Sequence, residues 1–186
     1  IIPARKGSKG LPGKNRLLFE HTISKIPKIY KKDVIVTTDD EMIIEQLSSS
    51  ECKTLKRQKT LSEDTTSTRD VLQDAIDKYN ISEDEQIIML YLTYPERTWK
   101  DIEQALEFYS KTKARSLLCC SDVKVNPFLC MLKKDNYKGA QIIEHNLYRR
   151  QDYPECFEIS HFISIFQSDE LKKLNKNLYN KDTVFY

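Results

Sequence analysis

Glycine is scarce in this 186-residue chain: there are four, and Gly7, Gly10 and Gly13 all fall in the first thirteen positions. Beyond them there is no low-complexity linker and no internal repeat, so one domain over 1–186 is expected. Neither sign of charge dominates. Thirty Lys and Arg against twenty-eight Asp and Glu leave +2, which excludes a global field for nucleic acid or an anionic membrane and makes any anion site local. No run approaches the ~20 apolar residues of a membrane-spanning helix; the sequence opens inside an expected strand without a Met, so a few residues are expected to be missing in front of Ile1. His21, His145 and His161 are scattered without a nucleophile pattern, so histidine-based covalent chemistry is disfavoured. The five cysteines make an odd set with no CxxC and no zinc spacing. They read as reduced, mostly buried thiols of a cytoplasmic protein.

What is present begins with "IIPARKGSKGLPGKN", an apolar start running into a loop with three glycines and four basic residues. After it, helical spacing in "LLFEHTISKI" alternates with a buried strand in "DVIVTTDD". Then come helical periods in "EMIIEQLSSS" and "TSTRDVLQDAIDKYN", a strand in "QIIMLYLT", a helix in "DIEQALEFYSKT" and a strand in "ARSLLCCSDV". Such alternation predicts α/β architecture, a mostly parallel sheet with helices on both faces. From about Asn126 the pattern changes to a hairpin around "KDNYKG", a further strand in "CFEISHFISIF" and a short helix in "SDELKKLNKNLYN".

In parallel α/β sheets, ligands sit beyond the carboxyl ends of strands, where the opening loop falls. Gly7, Gly10 and Gly13 allow backbone N–H groups to approach an anion, and Arg5, Lys9 and Lys14 supply charge. Phosphate binding competes with a plain solvated basic turn. A GxxxxGK[ST] phosphate loop is excluded, because five residues separate Gly7 from Gly13 and Asn15 stands where a hydroxyl residue should.

The order of residues narrows this. "IPARKGSKGLPGKN" resembles the opening of the CMP-sialic acid synthetase (acylneuraminate cytidylyltransferase) family, close to [IL]xARxGSKGxxxKN. Further segments are similar in the same order: "DVIVTTDDEMI", "RQKTLSEDTTSTRDVLQDAI", "IIMLYLTYPERTWKDIEQAL" and "YRRQDYPECF", covering roughly 1–165. The resemblance implies a nucleotide-diphospho-sugar transferase type of Rossmann-like fold, a mostly parallel twisted sheet flanked by helices. It also implies a hairpin extension over about 126–165 that serves dimerisation and the acceptor side. It implies transfer of CMP from CTP to an acidic 2-keto sugar with release of pyrophosphate, in a cytoplasmic homodimer using Mg2+ or another divalent cation. The diverged alternatives are another acceptor on the same fold, or a catalytically silent nucleotide-binding subunit.

By the same resemblance, Arg5 and Lys14 are the main phosphate cations, within a nucleotide-binding set of Ile2, Pro3, Ala4, Arg5, Gly7, Ser8, Lys14, Asn15, Arg57, Thr65, Ser67 and Thr68. The hydroxyl cluster at Thr65, Ser67 and Thr68 fits a helix N-cap equally well. Tyr91, Thr93, Arg97, Arg150 and Gln151 are the implied acceptor-side residues, with a solvated charge run as the other reading of the last two. Asp39 and Asp40 follow a strand and belong to a structural turn more than to a metal site. Two departures stand out: Tyr91 replaces the family glutamine, and "SHFIS" at 160–164 replaces its Asn-Gly turn. The family's late Asp-x-Asp metal pair would fall beyond Tyr186, so the carboxyl end is expected to be incomplete.

Overall fold

The structure is a computed structural model that describes residues 1–7 and 11–186. Ile2–Pro3 (β1) leads into Lys14–Ser24 (α1), the short Lys28–Lys31 (α2), Ile35–Thr38 (β2), Glu41–Leu47 (α3) and Lys53–Lys56 (β3). Thr68–Lys78 (α4), Gln86–Met89 (β4), Trp99–Ser110 (α5) and Ser116–Asp122 (β5) continue the alternation. Met131–Lys133 (β6) and Gly139–Gln141 (β7) form the hairpin, and Phe157–Gln167 (β8) and Val184–Phe185 (β9) complete the strands.

Three strands run β1-β2-β3, all parallel, and four run β4-β8-β5-β9. Ile1 joins the two sets. Its nitrogen donates to the Ile88 carbonyl at 2.6 Å and its carbonyl accepts from the Leu90 N–H at 3.1 Å, the pattern of parallel neighbours. The seven strands therefore form one continuous surface. Parallel pairing runs from β3 through β2 and β1 to β4 and recurs between β5 and β9, whereas β8 runs antiparallel to β4, with Gln86 opposite Gln167 and Met89 opposite Ser164.

Both faces are covered. Ile2, Val36, Leu117, Ile163 and Ile165 pack with Phe19 and Ile23 of α1, Ile43 and Leu47 of α3, and Ile102 and Ala105 of α5. On the other face Ile87, Met89 and Phe166 meet Leu72 and Ile76 of α4 with Leu171, Leu174 and Leu178. Ile165 and Phe166 belong to opposite clusters because successive strand side chains alternate.

Local chemistry sets several boundaries. Gly13, at φ 72°, caps α1 in the left-handed region that a side chain would strain, so the helix opens on Lys14, three residues before the apolar period begins. α5 starts at Trp99 because Thr98 and Asp101 form a reciprocal capping box. The single tryptophan stacks on Tyr30 at 4.9 Å and donates from Nε1 to Glu103 at 2.9 Å. β3 escaped the sequence reading, which saw only a polar link, because Lys53 and Lys56 are exposed on an edge strand. The short helix expected after β8 is a 3-10 segment, Ser168–Lys173.

The chain divides into two compact units. The first comprises Ile1–Cys119 with His161–Tyr186 and holds both cores. The second is Cys120–Ser160, and none of its residues is buried. Its turn places Asn136 and Tyr137 at φ 57° and 60° between β6 and β7, as the "KDNYKG" signal predicts. None of the five cysteines forms a disulfide among the described residues; Cys52 and Cys119 are buried and the other three are half-exposed, fewer buried than the apolar runs suggested. Among the described residues no helix is long and apolar enough to cross a membrane.

Candidate functional site

The carboxyl ends of β1, β2 and β4 open toward a common edge, and the segments leaving β1 and β4 line a cleft of about 470 Å³. Pro3, Arg5, Gly7, Lys14, Asn15, Arg57, Thr68, Tyr91 and Thr93, all expected from the sequence, line it. So do Glu63, Asp64, Thr66, Tyr94 and His161, which were not in the expected set. The first three belong to the loop before α4, and the last two lie within the departures at "YLTYPER" and "SHFIS".

The opening loop is anchored to β2 and the turn after it. Ala4 donates to the Thr37 carbonyl at 2.9 Å, and its own carbonyl accepts from Thr38 Oγ1 at 2.5 Å. Ile2 and Ala4 are core residues outside the cleft lining, and both backbone groups of Ala4 are engaged with β2. Lys6 N–H donates to Asp39 at 2.7 Å, and Asn15 Nδ2 donates to the Arg5 carbonyl at 2.8 Å. Buried Asp40 caps α3 through the Met42 N–H and pairs with Arg16 at 2.6 Å. These bonds give both aspartates structural work. Ser8 lies outside the described residues, as do Lys9 and Gly10.

Three cations converge on the cleft. Lys14 and Asn15 occupy the first turn of α1, where the positive end of the helix dipole favours an anion, although the Lys14 and Arg16 N–H groups already donate to the Leu11 and Gly13 carbonyls. Arg5 is half-exposed and pairs with Asp64 at 2.6 Å. Arg57 is buried and donates to the Thr37 carbonyl at 2.9 Å, with Nη1 left as the donor without a partner among the described residues. Burial lowers its pKa, and Arg5 nearby lowers it further, against the opposing pull of Asp39.

The hydroxyl cluster divides. Ser67 caps α4 through the Asp70 N–H at 3.2 Å, Thr65 is exposed outside the lining, and Thr68 reaches the cleft, hydrogen-bonded to the Tyr91 hydroxyl. Burial raises the Tyr91 pKa, so the phenol keeps its proton. His161 stands edge-on to Tyr91, ring centroids 5.5 Å apart. Its Nδ1 is buried with no hydrogen-bond partner among the described residues, and burial lowers its pKa, leaving a neutral imidazole at pH 7. Only the break in the family pattern at 160–164 could have pointed to it.

Arg97 does not line the cleft. It is buried behind it, with its guanidinium donating to two backbone carbonyls. Arg150 and Gln151 are exposed in a 3-10 turn of the second unit. Among the described residues no group of three or more His, Cys, Asp or Glu is placed to hold a metal ion.

Residues 1–181 match the profile of the cytidylyltransferase family. The chain belongs to the cytidylyltransferase family. The resemblance to CMP-sialic acid synthetases drawn from its motifs extends along the whole chain. An N-acylneuraminate cytidylyltransferase of Streptococcus agalactiae serotype V is 33% identical over 196 residues, 100% of this chain and 45% of the relative. This cytidylyltransferase chain therefore spans about half the length of that curated relative. A CMP-N,N'-diacetyllegionaminic acid synthase of Campylobacter jejuni is 28% identical over 197 residues, 100% of this chain and 83% of the relative. Among solved structures, a CMP:2-keto-3-deoxy-manno-octonic acid synthetase complexed with CTP superposes with a TM-score of 0.61 at 19% identity. The match covers 92% of this chain and 74% of that one. The chain thus has the α/β fold expected from its sequence.

Proposed function

We propose that this protein is a CTP-dependent cytidylyltransferase that transfers CMP to an acidic 2-keto sugar and releases pyrophosphate. The observation carrying the proposal is the convergence of Arg5, Lys14 and Arg57 on one cleft at the first turn of α1. A triphosphate is the ligand whose charge this arrangement matches. The names of the relatives add support for an acidic sugar as acceptor.

In this reading the acceptor hydroxyl oxygen attacks the α-phosphorus in line. The new O–P bond forms as the bond from the α-phosphorus to the bridging oxygen breaks, pyrophosphate takes the bonding electrons, and the hydroxyl proton passes to solvent or to a phosphate oxygen. The protein positions the reactants and offsets charge. The Lys14 ammonium at the positive end of α1 holds the phosphates, Arg57 presents Nη1, and Arg5 exchanges Asp64 for a phosphate oxygen. Pro3 and Gly7 bound the nucleotide side. Thr68, Tyr91, Thr93 and His161 form the acceptor side; Arg150 and Gln151 are kept as acceptor-side residues on the family resemblance alone. The described residues form no cage for a divalent cation, so Mg2+ enters the proposal only as a charge carried on the triphosphate, with no step derived from it.

The residues 1–186 act here as one cytidylyltransferase module in the cytoplasm, and residues 120–160 act in a homodimer. The support for association is that the second unit buries none of its residues while Leu129, Met131, Leu132, Tyr137 and Tyr148 are exposed. A segment of this size with no core needs a partner surface. A different acceptor on the same fold is the second reading, favoured by Tyr91 and His161 where the family pattern breaks.

The test is pyrophosphate release from CTP, UTP and ATP across a panel of acidic sugars. Turnover with CTP and one such sugar is expected. No release with any acceptor would refute the enzyme reading, and turnover with UTP or ATP alone would refute the nucleotide assignment.

A further inference from the structure

The strands β4 and β8 part company at a definite point. Their ladder pairs Gln86 with Gln167 through Met89 with Ser164; the next positions in that register set Leu90 opposite Ile163 and Tyr91 opposite Phe162. There the guanidinium of Arg97 intervenes. Its Nη2 donates to the Tyr91 carbonyl at 2.8 Å and its Nη1 to the Phe162 carbonyl at 2.5 Å. One planar fork thereby bridges the two backbones where strand pairing stops.

The surroundings hold that fork in place. Arg97 is 4% exposed, and its Cζ lies 6.0 Å from the Tyr94 ring centroid and 5.8 Å from that of Phe162. Those two rings meet edge to face at 5.6 Å, and the next residue, Thr98, is the N-cap of α5. Burial lowers the Arg97 pKa to about 10, so the group remains a cation at neutral pH. Tyr91 and His161, one on the strand exit and one beside Phe162, are the edge-to-face pair on the cleft wall.

We propose that Arg97 is a positioning residue for the acceptor: it props open the end of the β4–β8 ladder and so fixes the Tyr91–His161 wall without touching the ligand. This rests on the acceptor side of the function proposed above. The chemistry asks for arginine in particular. A lysine ammonium is a point charge and cannot hold two carbonyls in the plane of one rigid fork. Loss of the fork lets the two backbones close or drift, and an error of about 1 Å in a wall of this kind costs up to roughly a hundredfold in rate.

The experiment compares the intact protein with Arg97→Lys, and with Arg97→Ala in the presence and absence of methylguanidinium. Pyrophosphate release is followed with CTP and acceptor varied separately. Arg97→Lys is expected to raise the acceptor KM by about tenfold or more while the CTP KM stays within about twofold. Methylguanidinium is expected to restore the acceptor KM of Arg97→Ala, which also serves if the lysine variant does not fold. Equal changes in both KM values, no change in either, or no rescue would overturn the proposal. If the wild-type protein turns over no acceptor, the functional reading fails and a second readout decides on Arg97 alone. The His161 imidazole resonance, titrated by NMR, should move its midpoint upward toward 6.5 in Arg97→Lys as the wall loosens; an unchanged midpoint would overturn it.

Discussion

Residues Ile1–Cys119 with His161–Tyr186 and residues Cys120–Ser160 differ in how they hold together. The first unit is a sheet with apolar side chains packed on both faces and charged groups gathered at one edge. The second has a hairpin, a left-handed turn and a 3-10 turn, yet not one buried residue. The contrast is that both packed cores and the cation-lined cleft belong to one set of residues. The other set, largely free of packing demands, is suited to recognition between molecules.

Mutations can break or sharpen that contrast. The largest effect is expected at Phe166, buried among Leu72, Met89 and Leu171: Phe166→Ala should cost about 3–5 kcal/mol in denaturant unfolding, whereas Leu132→Ala should stay within about 0.5 kcal/mol. Equal losses would erase the distinction. Next, Lys14→Ala should lower kcat/KM for pyrophosphate release roughly a hundredfold with an unchanged unfolding midpoint. Leu132→Glu should raise the dissociation constant of the homodimer by about tenfold in sedimentation equilibrium, leaving the circular dichroism of the fold intact. Asp40→Ala removes the cap of α3 and the partner of Arg16, and about 1 kcal/mol of stability should go with it.

The smallest effect is on pH dependence. Burial depresses the folded pKa of His161 below its ordinary 6.5, so as pH falls below 6.5 the unfolded chain takes up the proton first. Stability should be indifferent to this group above 6.5 and decline with acidification below it. His161→Phe, measured by thermal unfolding between pH 5 and 8, should flatten that contribution.

Much of the first unit was legible because its chemistry is local. Val71, Leu72, Ala75 and Ile76 keep a helical period that is the buried face of α4, and Ile87 and Met89 mark a strand. Gly13 and Lys14 were readable from the order of the opening motif. The edge strand β3 was not, since lysines at both ends hide its pairing. Nor were the surroundings of Arg97: its place after β4 suggested a substrate edge, but its burial depends on β8, whose Phe162 carbonyl, more than sixty residues away, joins the nearby Tyr91 carbonyl as its partner. His161 was missed for the same reason, because an unpartnered nitrogen exists only once the strands around it are assembled.

Trp99 gives the molecule an optical property. The only tryptophan in the chain is the first residue of α5, two positions from Arg97, with its indole stacked on Tyr30 and hydrogen-bonded to Glu103. Any displacement at the start of α5 changes the environment of that one fluorophore. The natural protein thus carries an unlabelled emission signal beside the prop behind its cleft, suited to following acceptor binding in real time.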